Sequence, residues 1–133
     1  MRKLRGTLLG ALAMTGMSAC SGASAADPVK LECTFSGEGD KAAFCEAFRH
    51  QLAASLETPV ALVASLSRED RARGGWISAS LRSLPPAVIS AHVSYAHGDI
   101  AAELPDLNVS VSDRALRPED AAIIAKQVVA QIK

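Results

Sequence analysis

The stretch that decides the fold is Val29 to Leu56, VKLECTFSGEGDKAAFCEAFRHQLAASL. Its first seven residues alternate: Val29, Leu31, Cys33 and Phe35 fall on one face, Lys30, Glu32 and Thr34 on the other. That period of two reads as a half-buried strand. Ser36 to Asp40 (SGEGD) follows as a turn, and Asp40 is placed to cap a helix running from Lys41 to about Glu57. In that helix Phe44, Phe48, Leu52 and Leu56 recur every fourth residue, and at 100° per residue Cys45 falls among them. Two independent periodicities therefore aim Cys33 and Cys45 into the same space between strand and helix. A disulfide between them is the firmest structural expectation from the sequence.

Working outward, Thr58-Pro59 stops the helix, and Val60 to Leu66 (VALVASL) reads as a central strand. Ser67 to Gly75 (SREDRARGG) is expected as a solvated hairpin loop ending in a glycine pair. Trp76 to Leu84 and Val88 to Tyr95 are alternating strands joined through Pro85-Pro86. Ile100 to Leu104 suits a short strand, and Leu107 to Ser112 alternates again. A last helix starts at Pro118, with Glu119 and Asp120 at its positive end and Ala121, Ile124, Ala125, Val128 and Ile132 on its apolar face. The order β-α-β-β-β(-β)-α predicts an α+β sandwich of two layers, a mostly antiparallel four- to five-stranded sheet with two helices on one face.

The N-terminus speaks to location. Met1-Arg2-Lys3-Leu4-Arg5 is basic, and Leu8 to Met17 is an uncharged, mostly apolar run followed by small residues, the layout of a secretory signal. The run is about half of the roughly 20 residues that a membrane-spanning helix needs. Cleavage after Ala25 would use Ala23 and Ala25 as the small residues of the site. Met17-Ser18-Ala19-Cys20 instead resembles a bacterial lipobox, with Met17 where that pattern has leucine, and would make Cys20 a lipidated N-terminus. Both outcomes export the chain. The expected organisation is a signal over 1–25 (1–19 for a lipoprotein), a tether of small residues over 20–28, and a single domain over 29–133.

An exported protein is expected in an oxidising periplasm, soluble or held at a membrane through a lipid, which favours pairing of Cys33 with Cys45. With Arg2, Lys3 and Arg5 gone, 11 of the 14 basic residues remain against 14 acidic ones. Such a chain has no basic field for nucleic acid, and no partner of that kind is expected. The succession of elements, together with the export signal, is similar in outline to the small periplasmic domains at the start of TolB and in LpoB-type lipoproteins. The likeness rests on no residue motif, and it implies only a partner-binding role in the cell envelope.

Chemistry is sparse. No G-x-S-x-G elbow, P-loop, dinucleotide fingerprint, H-E-x-x-H or EF-hand pattern occurs, and no cofactor is expected. His92, His97 and Asp99 are the only cluster of metal-ligand residue types, set against a plain turn at His97-Gly98-Asp99; a small hydrolase or metal-dependent enzyme would have to be built there. His50 falls on the polar side of the first helix. The informative pattern is the sheet face turned away from the helices: Thr34, Ser78, Ser80, Arg82, Ser90, His92, Ser94, Asn108, Ser110 and Ser112. Trp76 is expected at the outward edge of this hydroxyl-rich face, either partly exposed for docking or packed as a cap over Gly74-Gly75. The leading expectation is a non-enzymatic envelope protein that binds a protein or glycan through this face or a strand edge. An inhibitor or chaperone acting through an exposed strand edge is a further reading.

Overall fold

In a computed structural model, which describes residues 28–132, the chain folds as an α+β structure with a six-stranded mixed sheet and three helices. The elements in order are β1 (Val29–Ser36), α1 (Lys41–Leu56), β2 (Val60–Val63), α2 (Arg68–Arg73), β3 (Trp76–Leu84), β4 (Val88–His97), β5 (Ile100–Glu103), β6 (Leu107–Ser110) and α3 (Pro118–Ile132). The segment carrying Cys20 and both cleavage positions lies outside the described residues.

Strand β1 and helix α1 form as their periodicities predict. The Asp40 side chain accepts from the amides of Ala42 and Ala43, and Glu57 ends the helix in the left-handed region at φ 57°. Gly37 (φ 98°) lets the intervening turn press against β3, since a Cβ there would lie 2.5 Å from the Ser83 carbonyl oxygen. Phe44, Cys45, Phe48 and Leu52 are buried. Cys33 and Cys45 are joined in a disulfide, their Cα atoms 5.9 Å apart. Phe35 and Phe44 stack beside it with ring centroids 4.6 Å apart.

The sheet order is β2-β1-β3-β4-β5, with β6 also on β4. β1 runs parallel to both β2 and β3, whereas β3–β4, β4–β5 and β4–β6 are antiparallel. The two-layer α+β arrangement is the expected one; the sheet differs in having six strands in place of four to five and in being mixed, with two of its five pairings parallel. A 16-residue α1, about 24 Å long, carries the chain back so that β2 starts beside the start of β1. β2 is therefore an edge strand, not a central one, and it ends at Val63 where the chain bends. The stretch expected as a hairpin loop is a crossover containing α2, because β1 separates β2 from β3. Ser67 and Asp70 cap α2 reciprocally, each side chain bonded to the other's backbone amide. The S-x-x-D spacing was the available signal for it.

Helices α1 and α3 pack on each other and on the same side of the sheet, α1 against β1 and β2, α3 against β4 and β6. On the side opposite the predicted serine face, Ile77, Ala79, Leu81, Ile89, Ala91, Val93 and Tyr95 are buried, and Leu107 and Val109 pack at the margin of the core. From α3, Ala121, Ile124, Ala125 and Val128 close the layer. Asp120, fully buried, takes Arg114 in a two-point pair at 2.8 and 2.9 Å and accepts the Arg117 amide at 2.7 Å. That fixes the start of α3.

Loss of the disulfide removes the constraint on a loop of 12 residues. The paired Cys33→Ala, Cys45→Ala change is expected to lower unfolding free energy by about 3 kcal/mol in the chain-entropy account, read by urea titration monitored at Trp76.

Candidate interaction face

With both long helices on one side, the opposite face of β1, β3 and β4 is built from the alternate residues. Register sets them in rows across the sheet. Glu32, Ser78, Ser94 and Glu103 form one row; Thr34, Ser80 and His92 form the next; Ser36, Arg82, Ser90 and Asn108 form a third. Ser80, Arg82, His92 and Asn108 are exposed, while Ser78, Ser90 and Ser94 are half-buried. Four serines on two neighbouring strands make a low floor, and Thr34 donates to Ser80 across it at 3.2 Å. The taller Arg82, His92 and Asp106 stand around a depression of about 220 Å³ that Thr34, Ser36, Ser80 and Ser90 also line. Ser110 and Ser112 are exposed further along.

His92 is held between two carboxylates. Its Nδ1 meets Asp106 Oδ1 at 3.0 Å, and its Nε2 lies 3.8 Å from Glu103 Oε2. The hydrogen bond to Asp106, followed by the negative charges of Glu103 and Asp106, raises the pKa of the imidazole above its ordinary value. Neither partner was visible in the sequence: Asp106 is 14 residues away, brought in by the link between β5 and β6.

His97 and Asp99, expected beside His92, are elsewhere. His97 is five residues along β4 and so belongs to the other side of the sheet, at its end, and Asp99 sits in the following turn. Among the described residues no group of three His, Cys, Asp or Glu side chains is placed to hold a metal ion. His50 is exposed on α1, as its helical phase predicts.

Of the two readings of Trp76, partly exposed for docking or packed as a cap, the structure has it packed, under α2. It is on the outward face but only 8% exposed, because α2 lies over it. Its indole N–H donates to the Arg71 carbonyl oxygen at 3.2 Å, and the Arg71 guanidinium sits 4.9 Å from the ring centroid. Leu66, Ala96 and Val63 complete this small cluster.

Set against known proteins, the chain matches no family model and no curated protein. No helix among the described residues is long and apolar enough to cross a membrane. The disulfide is compatible with an exported protein.

The raised pKa of His92 makes a pH-dependent tie. Its stabilising effect is full below the ordinary value of 6.5 and disappears as pH rises through the folded-state value. Following the His92 ring protons by NMR, the midpoint is expected above 6.5, and Asp106→Asn should lower it toward that value.

Proposed function

We infer that the protein is an exported, non-enzymatic accessory of the cell envelope that binds another envelope component through the open face of its sheet. The observation that carries this reading is the one-sided packing of α1 and α3, which leaves the Ser78, Ser80, Arg82, Ser90, His92 and Ser94 face uncovered beyond α2. Small hydroxyls that both donate and accept, beside one guanidinium and one imidazole–carboxylate pair, suit recognition of a polar surface, protein or glycan. His92 and Asp106 form a base with its orienting group, but the Ser80 hydroxyl opposite His92 accepts from Thr34, and among the described residues no hydroxyl is bonded to the imidazole. The reading places the protein in the periplasm, as a single domain over 29–133, either free after cleavage behind Ala25 or anchored through Cys20. The tether over 20–28 would then set its reach from the membrane.

A photoreactive residue at position 80 is expected to cross-link one discrete envelope component in the living source cell. The same probe at Ala54, exposed on the outer side of α1, should give none of it. Equal labelling from both positions, or no adduct from position 80, contradicts the reading.

A further inference from the structure

α2 is held over the open face in an unusual way. None of its six residues is buried, so the helix itself contributes no side chain to the core. Its attachments are polar and come from the outward residues of β1 and β3. Lys30 donates to Asp70 Oδ1 at 2.6 Å, Glu32 lies 3.6 Å from the Arg71 guanidinium and accepts the Leu66 amide at 3.3 Å, and the Trp76 indole bonds the Arg71 carbonyl oxygen. Leu66, just before the helix, is the one apolar anchor, packed on Trp76 and Ala96. The segment is bounded by a bend at 64–65 and by Gly74 and Gly75, with φ of 83° and 72°. A Cβ at Gly75 would meet nothing within 4 Å, and one at Gly74 only the Gly98 carbonyl oxygen at 3.9 Å, so these glycines answer to backbone conformation, not to crowding.

We propose that residues 64–74, up to the Gly75 backbone that is bonded to Ala96 and Lys30, form a strap that closes over Trp76 through ionic and hydrogen-bonded ties, and that its opening regulates the binding face by adding Trp76, Val63 and Ala96 to the serine floor. This rests on the open-face reading above. The serine floor is low, with Arg82 and His92 the large side chains at its rim, and a Trp is among the residue types enriched as anchors in protein interfaces. Lys30 and Glu32, freed of Asp70 and Arg71, would flank the uncovered patch with one charge of each sign. The hydrogen bonds from Lys30 and then Ser67 hold the Asp70 carboxyl down to about 2, so the tie persists across ordinary pH and the strap answers to competing charge, not to mild acid.

The sole Trp reports the strap directly. In the wild-type protein, hydrogen exchange should show the Arg71 and Gly74 amides, bonded within the strap to Ser67 and Asp70, exchanging at least about 100-fold faster than amides of β3 and β4, with little denaturant dependence. Lys30→Met leaves the reciprocal Ser67–Asp70 cap intact, and Asp70→Asn removes the charge together with one of the two acceptor oxygens. Each should raise acrylamide quenching of Trp76 at least about twofold while far-UV circular dichroism stays native. Strap amides that exchange only with global unfolding overturn the proposal, as does unchanged quenching in both folded variants. These readouts need no partner: strap amides that stay protected contradict the strap whatever position 80 cross-links, and loss of that cross-linking contradicts the open-face reading while the exchange and quenching results still stand.

Discussion

The Cys33–Cys45 bond fastens α1 to the inward face of β1, and the arrangement of the sheet follows from where that places the chain. Once α1 lies along β1, the chain returns at the start of β1 and can only add β2 alongside it in parallel, on the outer edge. β3 then takes the other side of β1, and the antiparallel strands grow from it. α3 comes last and packs beside α1, its entry fixed by the buried Asp120 and its Arg114 partner. A core with only four per cent aromatic residues in the chain is closed this way, mostly by Leu, Ile, Val and Ala around Phe44 and Phe48.

The same one-sidedness produces the face that carries the functional reading. A sheet covered on one side alternates apolar and polar residues along each strand, and β3 and β4 do so almost without exception. The exceptions are at the two ends of the pair: Leu84 and Val88 point outward at one, and Trp76 and Ala96 at the other, where α2 supplies a local cover. The open face therefore has two parts: a low hydroxyl floor with Arg82 and the His92–Asp106 pair, and an apolar spot under a polar strap.

Where residues speak to near neighbours, the sequence was legible. The strand period of Val29 to Phe35, the helical period of Phe44 to Leu56, and the alternation in β3 and β4 placed the disulfide, the core and the outward serines correctly. What escaped depends on long-range pairing. The parallel placement of β2 follows from an α1 crossover, which local pattern cannot distinguish from a central strand in VALVASL. The partners of His92 come from the end of β5 (Glu103) and the β5–β6 link (Asp106) and have no local signature. α2 was legible in principle through Ser67 and Asp70, but its charge pattern reads equally as a solvated loop, and without α2 the burial of Trp76 could not be foreseen.

The central claim is a sheet covered on one side only, with the serine face free. Broadening of side-chain NMR signals by a neutral gadolinium chelate tests it most directly, since adjacent residues on β3 and β4 point to opposite sides. The β-methylene protons of Ser80 and the ring protons of His92 should broaden strongly, while the methyls of Ala79, Ala91 and Val93, all 1% exposed or less, should not. Equal protection of both sets would mean that a second layer or another copy covers the face, and would contradict the account.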